Sequence, residues 1–337
     1  MKPEELVQII KSARGNHEIP DLTQTNLSQA NLSGLDLRGV NFSQADLTQS
    51  NLRGANLLRT NLSRANLQEA DLHRANLHGA IMDGANLSGV RLWGEKMETI
   101  SLTGANLTGV DLSSSDLRWA RLNEANLREA NLYEVNLHEA NLSQADVREA
   151  NLSRADLTGA DLSGANLSGA DLSRANLSRA NLTGADLGEA NLSQADFSES
   201  KLSSANLSGA ILKDTNLAGA NLSEVNLSAT NLDKINLNRA VLTEANLTET
   251  HLVEANLSQT DLRKANLAKA NLTRANLADA DLSGANLHQA TVAQNQLETV
   301  KSLANATLPD GSKQASEAAN KAARLAAAAA RLRSKRH

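Results

Sequence analysis

Residues 165–187 read ANLSGADLSRANLSRANLTGADL. Leu stands at 167, 172, 177, 182 and 187, Ala stands two residues before each, and Asn or Asp lies between them. Followed outward in both directions, the frame holds from Leu22 to Leu297 without a slip, giving 56 consecutive pentapeptides. The central position is Leu in 50 of the 56, and the exceptions, Phe42, Met82, Met97, Val147, Phe197 and Val292, are all apolar, so a polar group is never accepted there. Two residues earlier Ala fills 36 positions, and small or β-branched residues fill most of the others. The residue between is Asn in 31 repeats and Asp in 14. The last two positions are variable and polar.

A five-residue period suits neither regular element. On an α-helix each repeat advances about 500°, which spreads the Leu positions around the whole cylinder. On a flat strand an odd period sends alternate Leu to opposite faces. A path that turns a corner in every repeat keeps all of them inside, so the period predicts a solenoid, with Leu and the small residue pointing in. One repeat cannot stand alone: ordering five residues costs roughly 5–10 kcal/mol, whereas a buried Leu returns about 2 kcal/mol. The rest must come from stacking, with backbone groups pairing to the coils above and below. Stacking leaves raw ends, which need caps.

Composition agrees. In 337 residues there are five aromatics, three Pro and no Cys, which excludes a conventional globular core, a disulfide framework, a thiolate metal site and a catalytic thiol. No stretch reads as a membrane span. The opening MKPEELVQIIKSARG has no long apolar run, so no export peptide is expected and the expected location is cytoplasmic. The net charge of −5 is uneven: residues 312–337 hold seven Lys or Arg against one Glu, which leaves −11 on residues 1–311.

The A(N/D)LXX runs resemble those of the pentapeptide-repeat family, especially its cyanobacterial members, over about 280 residues. The resemblance implies an all-β solenoid, a right-handed quadrilateral β-helix with four repeats per coil, hence about 14 coils. The expected organisation is a cap helix and linker over 1–19, the β-helix over 20–300, a cap turn over 301–311 and a basic Ala-rich tail over 312–337. In the first segment Leu6, Ile9 and Ile10 share one helix face, Glu4 and Glu5 begin the helix, and Gly15 stops it. At the other end the frame slips by one from Leu297 to Leu303 and Leu308.

With four repeats per coil, residues 20 apart stack and residues five apart lie on neighbouring faces, which makes the sequence a surface map. No two His within the repeats are 20 apart, so no stacked metal pair is expected. Glu124, Glu129, Glu134 and Glu139 ring one coil on four faces and cannot converge on a substrate. Glu129 and Glu149 stack beside Arg128 and Arg148 as a charge ladder, and Lys234, Glu254 and Arg274 alternate in sign up one column. Ser and Thr lack His and Asp partners, no phosphate loop is present, and no cofactor is expected. These observations point away from an enzyme.

The pattern is lost over residues 81–102, where Ile81, Arg91, Lys96 and Ser101 replace the usual Asn or Asp, and Glu95 falls at an inward small position. A buried charge is costly, so a local distortion is expected. Trp93, Trp119 and Tyr133 are outward within coils four to six, with Arg91, Lys96, Arg118 and Arg121 beside them. Either these aromatics cover corners, or they anchor a protein partner with the cations as a polar rim. The tail cations Arg324, Arg331, Arg333, Lys335 and Arg336 belong to a solvated, part-helical segment, to a tether for nucleic acid or anionic lipid, although no aromatic residue lies among them, or to a segment that docks on the acidic body. Two functions remain: a non-enzymatic scaffold that binds a protein partner, with signalling roles implied by the cyanobacterial resemblance, or, as the resemblance to other members of the family implies, a DNA mimic acting on DNA gyrase or another DNA-binding protein. The scattered Arg, the scarcity of Phe and the unbroken frame favour the first.

Overall fold

A computed structural model describes residues 3–316. Each repeat is one side of a coil. After its central apolar residue the chain makes a tight turn, closed by a bond such as Ala170 N–H to Leu167 O at 3.0 Å. The third residue of the turn lies in the left-handed region, as at Gln29 (φ 57°) and Gly169 (φ 68°), the geometry of a type II corner. Gly89 shows why glycine recurs there: its φ is 73°, and a Cβ would come within 3.2 Å of Glu69 Cγ.

Four corners close a coil, because most Asn or Asp positions pair in parallel with the residue 20 further on, as in Asn66↔Asn86 and Asn106↔Asn126. On each rung one amide donates upward and one downward: Leu127 N–H to Asp146 O at 2.7 Å, and Asp146 N–H to Ala125 O at 2.9 Å. The Asn or Asp side chain satisfies the turn, accepting from the amide two residues on, as in Ser168 N–H to Asn166 Oδ1 at 3.0 Å. Asn also links coils, for its amide both donates and accepts: Asn106 Nδ2 donates to Asn86 Oδ1 at 3.1 Å, and Asn86 Nδ2 to Asn66 Oδ1 at 3.0 Å. A carboxylate only accepts, so Asn stacks above Asp at Asp111–Asn131 and Asp161–Asn181.

The central column is buried from Leu22 to Leu287, including Phe42 and Phe197, while Val292 is half-buried. Hydroxyls are tolerated at the small inward position where a carbonyl lies in reach, as with Thr60 Oγ1 to Leu37 O at 2.9 Å and Thr260 Oγ1 to Leu237 O at 2.9 Å.

Where a repeat reads Asp–apolar–Arg, the guanidinium folds back on the carboxylate. This fork forms at Asp36–Arg38, Asp116–Arg118, Asp146–Arg148 and Asp261–Arg263. Arg148 is thereby drawn to Asp146, and the expected ladder around Glu129 and Glu149 is left to Arg128, 3.7 Å from Glu149. The Arg38 hydrogen bonds hold the Asp36 carboxyl down to about 2, below the unfolded value of about 3.9. Its stabilisation is therefore complete above about pH 4 and lost as pH falls through about 2. Both groups are half exposed, so the effect is small. Asp36→Asn is expected to lower the denaturation midpoint slightly at pH 7 and not at pH 2; a difference that persists at pH 2 would exclude the fork as its source.

The chain forms two compact units, Met1–Thr215 and Asn216–His337. In the first, helix α1 (Pro3–Gly15) buries Leu6 and Ile10, and Arg14 bonds Asp36 at 3.1 Å and Arg38 O at 2.9 Å. Ile9, assigned to the same face by periodicity, is turned outward and 38% exposed. In the second, Glu254 lies 4.0 Å from Lys234 and 3.1 Å from Arg274, forming the alternating column. The corner pattern runs to residue 291, and Leu297 is reached through a helical turn, α2 (Gln294–Leu297), rather than a further coil side. Gln296 Nε2 bonds Leu272 O and Ala275 O there, and the register then becomes 21, with Asp281↔Ser302 and Asn286↔Thr307. The frame slip seen in the sequence is this one-residue insertion. Lys313 pairs antiparallel with Thr307. Arg324, Arg331, Arg333, Lys335 and Arg336 lie outside the described residues.

Candidate interaction surface

The four faces are numbered by their first central residues: Leu22, Leu27, Leu32 and Leu37 begin faces 1 to 4. Arg91, Trp93 and Tyr133 belong to face 3, Lys96, Arg118 and Trp119 to face 4, and Arg121 to face 1. The seven residues thus do not form one flat patch. Trp93 and Tyr133 share a column with Ser113 between them, two coils or about 10 Å apart.

Trp119 and Tyr133 are tied to their own surface. Trp119 sits at a corner with φ 58°, where a bulky side chain costs roughly 1–2 kcal/mol. Its indole Nε1 donates to Glu139 at 3.0 Å, His138 meets it edge-on at 6.4 Å, and Arg118 lies over it at 5.2 Å. Arg118 also forks Asp116, raising its own pKa through that bond, and reaches Glu98. Tyr133 has Arg154 over its ring at 6.0 Å, and its hydroxyl pKa is raised, chiefly by a hydrogen bond with Glu134. Arg154 is itself 3.4 Å from Glu134.

Trp93 is different. It is 51% exposed and stacks on His73, with ring centroids 5.4 Å apart. Among the described residues its indole N–H has no acceptor, and neither Arg91 nor Lys96 pairs with a carboxylate.

The cause lies beneath it. Glu95 is 8% exposed at an inward position where most repeats place Ala. Its carboxylate turns toward the coil below, accepting from Arg74 N–H at 2.8 Å and lying 3.3 Å from His73 Nδ1. In a regular coil a corner amide donates to the carbonyl 19 residues on, as Gly54 N–H does to His73 O at 2.9 Å. Glu95 takes that place for Arg74. Among the described residues the bridges that would join Asp71 to Arg91 and Asn76 to Lys96 are not formed, and the ladder resumes at Arg91↔Asp111 and Lys96↔Asp116. The distortion expected from the buried charge is thus a local parting of two coils. Beside it runs a groove of about 520 Å³, lined by Arg53, Glu69, Asp71, His73, Arg91 and Trp93.

His73, His138, Glu139 and Arg154 are the members of this surface that sequence reasoning passed over. The spacing of 20 marks His73 under Trp93 and Glu139 beside Trp119, but only when unlike residues are compared up a column. Among the described residues no group of His, Asp and Glu could hold a metal, and no helix is long and apolar enough to cross a membrane.

A four-sided coil of A(N/D)LXX repeats with an Asx-closed corner defines a class of solenoid, and the comparisons identify it. The pentapeptide-repeat profile matches in 8 copies between residues 21 and 289, with 95–99 and 215–219 left out. The chain belongs to the pentapeptide-repeat family, whose members fold as right-handed quadrilateral β-helices and are generally non-catalytic structural or interaction proteins. It is similar to HetL of the cyanobacterium Nostoc, a pentapeptide repeat protein involved in heterocyst differentiation regulation, with 37% identity over 66% of this chain and 92% of HetL, at a TM-score of 0.33. It is also similar to a pentapeptide repeat protein of the Arabidopsis thaliana thylakoid lumen, 33% identical over 29% of this chain and 69% of that one, at a TM-score of 0.29. QnrB1, a plasmid-mediated fluoroquinolone resistance protein, is 22% identical over 66% of this chain and 91% of its own, at a TM-score of 0.35. No curated protein matches significantly.

Proposed function

We propose that this protein is a non-enzymatic rigid scaffold that binds a protein partner through its outer faces, in a regulatory role. The observation that carries this reading is the exposed Trp93 with unpaired Arg91 beside it, on a backbone held by rungs on both sides of the groove. Trp and Arg are the residues that most often anchor interfaces. The sequence likeness to HetL, a protein involved in heterocyst differentiation regulation, supports regulation as the setting, and a cytoplasmic location belongs to the same reading. In this reading the β-helix has about 14 coils, with α1 and residues 301–311 as its caps. Nucleic-acid mimicry is disfavoured, since corner carboxylates carry their own cations, as at Glu244–Lys264 and Glu249–Lys269, and the surface is not a uniform polyanion.

The test is affinity capture from lysate of the source organism with wild type and the triple variant Trp93→Ala, Trp119→Ala, Tyr133→Ala. All three side chains lie outside the core, so the circular dichroism spectrum is expected to stay unchanged while a specific partner is lost. Equal capture by both proteins would refute the aromatic surface. Protection of gyrase supercoiling from a quinolone would instead establish the mimic.

A further inference from the structure

The repeat carries its own acceptor. In a consensus turn the Asn or Asp oxygen satisfies the amide two residues on, as Asp111 does for Ser113 at 3.0 Å and Asn131 for Tyr133 at 3.3 Å. Where that residue is replaced, an Asp of the coil below can fill the place. Thr103 N–H, which follows Ser101, donates to Asp83 at 3.1 Å, and Val253 N–H, which follows His251, donates to Asp233 at 2.8 Å. At Trp93 neither arrangement holds. Residue 91 is Arg, a donor, and the residue below is His73, whose Nδ1 faces Glu95. Among the described residues, Trp93 N–H, its indole N–H and the Arg91 guanidinium are three donor groups without an acceptor, all at the rim of one groove.

We propose that this groove docks an acidic segment of a protein partner. One Asp or Glu carboxylate takes the place of the missing Asx oxygen, accepting from Trp93 N–H and pairing with Arg91, while a neighbouring apolar residue covers the Trp93 ring. A carboxylate bonded to a guanidinium and a backbone amide is a strong, directional contact. The groove selects a single anion rather than a polyanion, because Glu69 and Asp71 line it and Glu95 lies beneath. Lys96 repeats the substitution on the next face, but there Glu98 stands beside the amide, already near His78 and Arg118, and repels a second carboxylate. This inference rests on the scaffold reading and names the chemistry of its partner.

The experiment is selection of a displayed random hexapeptide library on the full chain, followed by titration of the enriched, end-capped peptide. The comparison protein is Arg91→Asn, which restores the consensus repeat and supplies its own acceptor to Trp93, so it is expected to fold at least as well as wild type. Wild type is expected to enrich Asp or Glu at one fixed position. Arg91→Asn, or Asn or Gln for that acid in the peptide, is expected to weaken binding about tenfold or more. Absence of an acidic position, or equal affinity of Arg91→Asn, would overturn the proposal, as would tighter, Arg91-dependent binding of oligothymidylate. If Trp93→Ala abolishes partner capture while Arg91→Asn leaves it intact, the scaffold reading stands and the carboxylate site falls. If neither affects capture, both fall.

Discussion

Phe42→Ala is expected to destabilise the first unit by about 3–5 kcal/mol. The ring is completely enclosed in the central column, between coils joined through Asp21↔Asn41 and Asn41↔Asn61, and backbone rungs on both sides prevent the coil from collapsing into the cavity. Because each coil touches only its neighbours, the loss should be local. Amide exchange is expected to accelerate over residues 20–79 and remain slow over 140–190. Phe42→Leu, which substitutes the column's own residue, should cost about 1.5 kcal/mol or less. Uniform acceleration along the whole unit would mean that the solenoid unfolds as one body, contrary to nearest-neighbour stacking.

Glu95→Ala is expected to stabilise the same unit by about 2 kcal/mol. The carboxylate is desolvated with only a backbone amide and His73 for company, and replacing a buried charge by a packed apolar group is often favourable. Restoring the consensus Ala also frees Arg74 N–H for Trp93 O and allows rungs to form at Asp71–Arg91 and Asn76–Lys96, each worth roughly 1 kcal/mol. Thermal melting measures the gain, and slowed exchange at Leu72, Arg74 and Leu77 would locate it. A lower melting temperature would show instead that the carboxylate holds the parted coils together. A gain in stability would fit a residue kept for the groove rather than for the fold.

Asp–apolar–Arg forks at all four places where the sequence offers it within the described coils, although Arg128, after Asn126, reaches for glutamates instead. The difference is chemical: a carboxylate accepts two guanidinium bonds, and an amide oxygen already engaged by the turn does not. Such a rule is readable from three residues. That Ile9 turns outward while Leu6 and Ile10 turn in is not, because the helix face is chosen by the coil it meets and not by its own period.

The surface was legible in part for the same reason. Trp93, Trp119 and Tyr133 stood out as departures from consensus, yet their environments differ: Trp119 donates to Glu139 and Tyr133 lies under Arg154, while Trp93 is left open. Sequence spacing places residues in columns but does not say which way a side chain leans at a corner. Glu95 was visible as a charge out of place, but whether it would be expelled or would displace a rung depended on Arg74 N–H being within reach.

By itself the period of five with one apolar position determined a path that turns at each repeat, and the four repeats per coil implied by the family resemblance then placed the residues of the regular repeats, up to residue 291, in columns 20 apart. Tertiary structure alone decided where that regularity yields. Glu95 draws an amide away from its rung, the coils part, and Trp93 and Arg91 are left with donors that the repeat no longer satisfies. These are competitions between hydrogen-bond partners 20 residues apart, settled by distances that no linear pattern contains.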